Sequence, residues 1–395
     1  MGSGRFDEVI DRYNTNSEKY DFKTKFGKPE DVLPLWVADM DFRAPEEVLE
    51  ALHKAVSHGI FGYSESGDDY FQALEHWFFN RFGWKIDQEW LLKSPGVVFG
   101  IHAMVRGLTN EGDAVMIQPP VYYPFFKVVE DNHRKLVCNR LVHKESGYEI
   151  DFEDFEDKII TEKVKLFIFC SPHNPVGRVW RREELERILA ICIKYDVLII
   201  SDEIHCDFTY PGHKHIVFAT LSEEAKNRCL ICTAPSKTFN LAGLQTSNLL
   251  IPNQELRRKV KKALYTKTGY QELNQLGLVA CQAAYENGAV WLEECKDYLK
   301  ENLDYLREFL REKIPQIRLV EPEGTYLVWL DCRGLGLSDE ELEDLITNKA
   351  RLWLSAGSKF DPECGQYERV NIACPKSILE QAMNQLEIAV KGVLS

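Results

Sequence analysis

Residues 165–202 read KLFIFCSPHNPVGRVWRREELERILAICIKYDVLIISD, and this stretch decides the fold. Its first six residues form an apolar run that predicts a buried strand, residues 181–195 carry apolar side chains at helical spacing, and residues 197–200 form a second apolar run. A strand, a helix and a strand in this order predict two parallel strands joined by a crossover helix. Because both strands are apolar, we expect helices on both faces of their sheet.

The same alternation extends along the chain on both sides of this unit. Apolar runs at 114–118, 228–233 and 247–251 predict further strands, and residues 44–59, 70–82 and 97–108 predict helices. We therefore predict an α/β fold built on a mostly parallel sheet that is flanked by helices.

The pattern changes after about residue 288. A long amphipathic helix is predicted at 290–313, strands at 325–331 and 369–373, and a capping box formed by Ser338 and Glu341 begins another helix. This α+β pattern predicts a second, smaller domain. We place the large domain at 46–288 and form the small domain from residues 1–45, an N-terminal arm, together with residues 289–395.

Composition excludes several classes of function. The chain has 395 residues, 48 Lys and Arg against 62 Asp and Glu, and a net charge of −14, which argues against nucleic acid and anionic membranes as partners. No apolar run reaches the ~18 residues that span a membrane, and the first residues lack the apolar core of a signal peptide. Eleven scattered cysteines then indicate reduced thiols and a cytoplasmic location. We interpret the pair Cys229 and Cys232 as buried side chains and predict no metal site.

Three polar residues follow three successive predicted strands. They are Asn174, Asp202 and Lys237. An amide, a carboxylate and a lysine suit a pyridine cofactor with a phenolic oxygen and an aldehyde, since each can meet one of its functional groups. Taken singly, the asparagine could form a turn, the aspartate could cap a segment and the lysine could lie on the surface. Together at successive strand ends, where α/β sheets bind ligands, they favour the cofactor.

The segments around these residues also resemble a known family. SPHNPVGRVW (171–180), SDEIH (201–205) and APSKTFNLAG (234–243) resemble the signature segments of class I/II aminotransferase-like, fold-type I pyridoxal-phosphate (PLP) enzymes. LPLWVADMDF (33–42) and FGYSESGDDYF (61–71) are similar to the MalY/PatB branch of cystathionine β-lyases and related C–S lyases. The resemblance runs from about residue 6 to the C-terminus. It implies pyridoxal 5′-phosphate as cofactor and a PLP-dependent transferase-like fold with a seven-stranded sheet.

The resemblance implies a role for each of five residues. Lys237 would hold the cofactor covalently and then act as the base that removes the substrate α-proton. Asp202 would keep the pyridine nitrogen protonated, Asn174 would hold the ring oxygen and Tyr122 would stack on the ring. Arg369 would bind the substrate α-carboxylate through its guanidinium fork. Core packing is the alternative for the tyrosine, and a surface salt bridge is the alternative for the arginine.

A second group of residues would bind the cofactor phosphate. Gly96, Val97 and Val98 lie where a loop enters a predicted helix, and a helix N-terminus suits a dianion. Ser236 resembles a hydroxyl ligand of the phosphate. Tyr63 is similar to the family tyrosine that reaches the phosphate of the neighbouring subunit, which implies a homodimer with a shared active site.

Other positions depart from the broader family or line the predicted pocket. Gln245 stands where many aminotransferases carry a phosphate-binding arginine, and this glutamine fits the C–S lyase branch. His205 replaces a common tyrosine; it could assist the ring or be a satisfied core histidine. Trp36, Tyr123 and Phe360 are candidates to line a pocket for a neutral or thioether side chain, with ordinary core packing as the alternative.

The branch resemblance predicts the reaction. We expect β-elimination of L-cystathionine or a related cysteine S-conjugate to a thiol, pyruvate and ammonia. A PLP-dependent aminotransferase of neutral or aromatic amino acids is the alternative, because the cofactor supports both reactions and the pocket selects between them. A PLP-bearing regulatory protein that binds another protein is a second alternative.

Overall fold

A computed structural model describes residues 4–145, 147–269 and 272–394. These residues form two compact units. The core unit comprises Ala44–His173 and Arg178–Leu292, and the terminal unit comprises the described residues of Met1–Arg43, Asn174–Gly177 and Glu293–Ser395. The predicted domain limits at 45/46 and 288/289 stay a prediction.

The strands within the described residues are β1 (Leu33–Pro34), β2 (Leu91–Ser94), β3 (Ala114–Ile117), β4 (Lys135–Cys138), β5 (Leu141–Lys144), β6 (Gly147–Ile150), β7 (Val164–Cys170), β8 (Leu198–Asp202), β9 (Cys229–Thr233), β10 (Ser247–Leu250), β11 (Arg318–Val320), β12 (Leu327–Asp331), β13 (Leu352–Trp353), β14 (Ser355–Ala356) and β15 (Tyr367–Asn371).

The α-helices are α1 (Glu18–Asp21), α2 (Glu46–His58), α3 (Asp68–Phe82), α4 (Val97–Leu108), α5 (Pro124–Glu130), α6 (Phe152–Glu162), α7 (Arg182–Lys194), α8 (Glu223–Arg228), α9 (Pro235–Thr238), α10 (Gln254–Lys261), α11 (Gln275–Asn287), α12 (Ala289–Lys313), α13 (Asp339–Asp344) and α14 (Lys376–Leu394). Short 3₁₀ helices lie at Thr24–Phe26, Gln88–Trp90, Phe218–Thr220, Ala242–Leu244, Arg333–Leu335, Gly357–Lys359 and Pro362–Cys364, and π-helical turns lie at Lys262–Thr266 and Leu345–Lys349.

The core unit is built on a seven-stranded sheet in the order β2-β10-β9-β8-β7-β3-β4. From β9 to β4 every neighbouring pair is parallel, whereas β10 is antiparallel to both β2 and β9. The α/β fold class and the mostly parallel sheet are therefore confirmed. Parallel strands require crossover connections, and the helices between them supply these.

Helical side chains cover both faces of this sheet. On one face, Ile168 of β7 belongs to an apolar cluster with Ile101 of α4 and Phe125 of α5, all fully buried. On the other face, the Phe167 ring meets Phe155 of α6 with the ring centroids 5.2 Å apart. Neighbouring residues of one strand point to opposite faces, so the apolar run at 165–170 packs against the helices on both sides of the sheet.

The terminal unit holds an antiparallel sheet in the order β11-β12-β15-β14. Its N-terminal arm pairs with the C-terminal part, since β1 runs parallel to β13 with Leu33 opposite Leu352. A buried ion pair also joins two parts of the arm, because the ammonium of Lys19 donates to Asp41 Oδ2 at 2.7 Å.

Most predicted elements agree with the structure to within two residues. The strand expected at 369–373 is present but shifted by two residues, because β15 begins at Tyr367 and ends at Asn371. Its charged residues Glu368 and Arg369 are both buried. Their polarity places the apparent start of the apolar pattern too late.

None of the helices among the described residues has the length and apolar character needed to cross a membrane. All eleven cysteines lie within the described residues and are free thiols, and all but Cys138 are buried.

Candidate active site

The carboxyl ends of β7, β8 and β9 lie side by side. Cys170, the last residue of β7, is in register with Asp202, the last residue of β8, and Asp202 is in register with Cys232 of β9. Since parallel strands end at the same edge of a sheet, the loops that follow them emerge together. This edge carries Asp202 and, one turn beyond β9, Ser236 and Lys237 on α9.

Asp202 is a buried carboxyl that accepts a backbone hydrogen bond. Its Oδ1 atom accepts from the Ile204 backbone N–H at 3.1 Å. The pKa of Asp202 is raised to about 7: burial and the negative charge of Glu203 raise it, whereas the hydrogen bond from the Ile204 N–H and the charge of Lys237 lower it. The lysine therefore lies within electrostatic range of the carboxyl. A cation placed at this carboxyl would favour its ionised form.

Lys237 lies on a one-turn helix that a buried ionic group anchors. Ser236 and Lys237 are half buried, whereas Thr238 is buried. The Thr238 hydroxyl donates to Asp207 Oδ2 at 2.8 Å, and Oδ1 of the same carboxylate lies 2.9 Å from Arg81 Nε of α3. This buried contact fixes the residue that follows the lysine.

The N-terminus of α4 faces open space beside the same sheet. The Gly100 N–H donates back to the Gly96 carbonyl at 3.0 Å, so the N–H groups of Val97, Val98 and Phe99 come before the first intrahelical bond. A Cβ atom on Gly96 would meet no heavy atom within 4 Å. A small dianion therefore fits at this helix end.

Hydroxyl contacts join this helix end to β10. Ser94 Oγ donates to the Gly96 carbonyl at 3.0 Å, and the hydroxyls of Ser94 and Ser247 share a hydrogen bond of 2.7 Å. Gln245, two residues before Ser247, is exposed in a left-handed conformation with φ of 50°. This position adds no positive charge to the helix end.

The two neighbouring tyrosines differ in exposure. Tyr122 is partly buried and packs against the core cluster, with its ring centroid 5.9 Å from that of Phe125. Tyr123 is exposed, and its ring centroid lies 5.4 Å from that of Tyr122. Of the pair, Tyr122 is the one held in a fixed position by packing.

His205 is buried in the loop after Asp202, where its carbonyl accepts from the Phe208 N–H at 3.0 Å. The neighbouring Glu203 is also buried; it accepts from Ser201 Oγ at 2.9 Å and lies 2.8 Å from His215 Nε2. The alternatives for His205, a ring contact or a satisfied core position, stay open.

Arg369 and Asn174 meet within the terminal unit. Arg369 Nη1 donates to Asn174 Oδ1 at 3.0 Å, although the two residues are 195 positions apart. Its Nη2 atom donates to the Trp36 carbonyl at 2.7 Å and to Ser355 Oγ at 3.3 Å. A surface salt bridge is excluded as the role of this arginine, since its side chain is buried.

Two predicted pocket residues surround Arg369. The guanidinium carbon lies 4.8 Å from the centre of the Phe360 ring. Trp36 stacks on Trp353 with ring centroids 4.3 Å apart, and its indole Nε1 has no hydrogen-bond partner among the described residues. Phe360 is fully buried, with its ring edge-on to Trp329, so it takes part in the core as well.

Tyr63 differs from the other predicted site residues in its exposure. It is fully exposed in the segment between α2 and α3, near exposed Ile60 and Phe61.

Sequence reasoning missed the buried polar group of Asp207, Thr238 and Arg81. The residues belong to separate segments, and no local motif joins them. In the sequence, the one indication of this group is that Thr238 directly follows Lys237.

The chain is similar to known proteins along most of its length. A model of the family "Aminotransferase class I and II" matches residues 30–386. The chain is 41% identical to cystathionine beta-lyase PatB of Bacillus subtilis, over 98% of this chain and 99% of that one. It is 32% identical to protein MalY of Escherichia coli, with the same two coverages, 98% and 99%.

Solved structures of PLP-containing proteins are also similar to this chain. A PLP-bound protein of Clostridium difficile 630, provisionally described as an aminotransferase, matches with a TM-score of 0.95 and 42% identity, over 98% of this chain and 99% of that one. Cystalysin of Treponema denticola, which contains pyridoxal 5′-phosphate, matches with a TM-score of 0.94 and 35% identity, over 98% of each chain.

Proposed function

This chain belongs to the aminotransferase class I and II family, and we propose that within it the protein is a pyridoxal-phosphate-dependent C–S β-lyase. The proposed reaction cleaves L-cystathionine or a related cysteine S-conjugate with water to a thiol, pyruvate and ammonium. The likeness to PatB over nearly the whole of both chains carries the proposal. The likeness to cystalysin supports it.

The residues at the sheet edge fit the cofactor. A buried carboxyl whose pKa is raised to about 7 suits a partner that brings positive charge, as a protonated pyridine nitrogen does. The open N-terminus of α4 suits a phosphate, and Ser236 offers a hydroxyl. The half-buried amine of Lys237 suits covalent attachment of an aldehyde.

When bound, the cofactor supplies an electron sink that stabilises negative charge at the substrate α-carbon. We assign Lys237 Nζ to take the proton from that carbon. Asp202 would hold a positive charge on the ring nitrogen, and Asn174 would donate to the ring oxygen. Tyr122 supports the ring face.

Arg369 binds the substrate α-carboxylate in this proposal. Its guanidinium is oriented by hydrogen bonds to Asn174, the Trp36 carbonyl and Ser355, so few side-chain conformations remain to be lost on binding. Burial removes competing water and strengthens a charge-assisted bond to a carboxylate.

Transamination is the second candidate, because a PLP-bound structure described provisionally as an aminotransferase matches over nearly the whole chain. The two activities differ in their need for a keto acid. Purified protein incubated with L-cystathionine should release pyruvate without any keto-acid acceptor, and the visible spectrum of the bound cofactor should change when the substrate is added.

Strict dependence on an acceptor would assign the protein as an aminotransferase. A cofactor-bearing protein inert towards every S-conjugate would favour a role in binding another protein. Lys237→Ala serves as the inactive control, and Lys226→Ala serves as the matched one, because Lys226 lies on the surface in a pair with Glu223.

The proposal includes a homodimer in the cytoplasm. Tyr63 is fully exposed, and exposed Ile60 and Phe61 lie next to it, which supports a contact with a second copy of the chain. Eleven free thiols support a reducing compartment.

A further inference from the structure

The terminal unit contains a charged cleft of about 470 Å³. Its charged lining consists of two lysines, Lys28 and Lys359, and four carboxyl groups, Asp339, Glu340, Glu343 and Glu368. Two apolar residues, Leu354 and Ala356, complete one wall. We call it the β15 cleft, because Glu368 belongs to that strand.

Glu368 distinguishes this cleft from a solvated cluster of surface charges. Its side chain is only 2% exposed, and its Oε2 atom is buried without a hydrogen-bond partner among the described residues. A buried carboxyl oxygen left without a donor has a large free-energy cost. A ligand that brings a donor into the cleft would remove that cost.

Glu368 and Arg369 lie on opposite faces of the terminal sheet. Side chains of consecutive strand residues point to opposite faces. In the register of the sheet, Glu368 lies opposite Ala356 and Leu330, whereas Arg369 lies opposite Ser355 and Trp329. A ligand in the cleft therefore occupies the other side of β15 from the guanidinium.

The charges of the cleft determine the kind of ligand. Lys28 is paired with Glu343 and also donates to Thr347 Oγ1 at 3.0 Å. Lys359 makes no salt bridge among the described residues, and its ammonium lies 6.0 Å from the centre of the Trp36 ring. Within the described parts of the chain, one ammonium without a salt bridge thus stands with the carboxyl groups of Asp339, Glu340 and Glu368, which also lack one.

We propose that the β15 cleft binds a free α-amino acid as a zwitterion. The ligand ammonium donates to Glu368 and faces the acidic residues, and the ligand carboxylate pairs with Lys359. Leu354 and Ala356 offer apolar contact to a neutral side chain. This site is independent of the proposed C–S lyase reaction.

Proton binding supports the same arrangement. The pKa of Glu368 is raised to about 8: burial and the negative charge of Glu343 raise it, whereas Lys28 and Lys359 lower it. Asp339 and Glu340 also face the cleft, while burial, Lys28 and Arg369 lower the pKa of Lys359, and Glu343 and Glu368 raise it. An incoming ammonium favours ionised Glu368, so binding near neutral pH should release a proton.

The test is calorimetric titration of the PLP-loaded protein with L-methionine, with visible absorbance recorded in parallel. We expect a binding event that leaves the cofactor spectrum unchanged. Glu368→Gln and Lys359→Ala should each weaken it at least ~10-fold, about 1.4 kcal/mol. Glu321→Gln, on the exposed pair with Arg307, is the matched control and should leave it unchanged.

Two analogues test the zwitterion directly. L-methionine methyl ester lacks the carboxylate and N-acetyl-L-methionine lacks the ammonium, so each should bind more weakly than L-methionine. Heat that appears only together with an absorbance change, equal affinity in Glu368→Gln and Lys359→Ala, or equal affinity for the ester would overturn the proposal. Lyase activity on L-cystathionine is measured separately, so its absence would bear on the proposed function and not on this site.

Discussion

Arg369 donates a hydrogen bond of 3.0 Å to the side-chain oxygen of Asn174. A guanidinium has only donors, so the amide oxygen must face it. The amide nitrogen is then the group of Asn174 that remains to donate elsewhere. The residue proposed to bind the substrate carboxylate thus sets the orientation of the residue proposed to hold the cofactor oxygen.

Replacing Arg369 by lysine should raise the KM for L-cystathionine by roughly 10- to 100-fold with a smaller change in kcat. The ammonium keeps the charge but loses the fork and the simultaneous bonds to Asn174, Ser355 and the Trp36 carbonyl. Steady-state pyruvate assays give both constants. Arg318→Lys, on the exposed edge of β11, is the control; equal KM values in the two variants would contradict the proposed role.

Lys237→Ala should lower kcat for pyruvate release by at least about 10³-fold, because it removes the amine assigned to move the α-proton. It should also abolish the visible absorbance of covalently attached cofactor. The spectrum and the rate are both measured against Lys226→Ala. Retention of both signals in Lys237→Ala would disprove the assignment of this lysine.

Asp202 should make the cofactor-free protein less stable as pH rises. Its pKa is raised to about 7 by burial, whereas the unfolded carboxyl titrates at about 3.9. Between these values the folded protein holds a proton that the unfolded chain has lost. The free energy of unfolding therefore falls with pH, by up to about 1.4 kcal/mol per unit.

Urea unfolding at several pH values between 4 and 7 should show a smaller slope for Asp202→Asn than for the unaltered chain. Glu368, whose pKa is also raised, contributes equally to both proteins and cancels in the comparison. Identical slopes would mean that Asp202 is already ionised in the folded protein.

Asp207→Asn should lower the free energy of unfolding by about 2 kcal/mol, because Arg81 then keeps its charge without a buried counter-ion. The matched variant is Asp196→Asn, which alters the exposed pair with Arg228 and should cost under ~0.5 kcal/mol. Denaturant titration measures both. An effect of Asp207→Asn no larger than that of the control would show that the anchor beside Lys237 contributes no stability.

Mixed dimers can test the role of Tyr63. Tyr63→Ala should weaken cofactor binding, and Lys237→Ala should be inactive. When the two variants are unfolded and refolded together, a mixed dimer would combine intact Lys237 in one chain with intact Tyr63 from the other, and one native site would return. Light scattering checks for the dimer, and a mixture that binds cofactor no better than Tyr63→Ala alone would argue against a shared site.

The strand ends could be predicted because apolar runs end abruptly in polar residues. Thus Asp202 and Lys237 were predictable from β8 and β9 alone, and the structure places them at one sheet edge. The direction of β10 was not predictable, because a short apolar run does not show whether its strand pairs parallel or antiparallel with its neighbours. Only its pairing with β2 and β9 reveals that it is antiparallel.

Buried charges explain most of what the sequence could not predict. Lysine is ordinarily an exposed residue, so the sequence pattern does not predict that Lys19 is fully buried beside Asp41. The same holds for Glu368, which belongs to β15 but lies outside the strand predicted at 369–373. Such residues are recognised only when their partners, distant in sequence, are known.

The pairing of the N-terminal arm has a consequence for synthesis on the ribosome. Asp41 donates its N–H to the Ala373 carbonyl at 2.9 Å, and β1 pairs with β13, so the arm completes these contacts only after segments far along the chain have been made. At about 10 residues per second, the arm waits roughly half a minute for its partner strands. Residues 44–292 can begin to pack during that delay, while the arm stays open to chaperones and proteases.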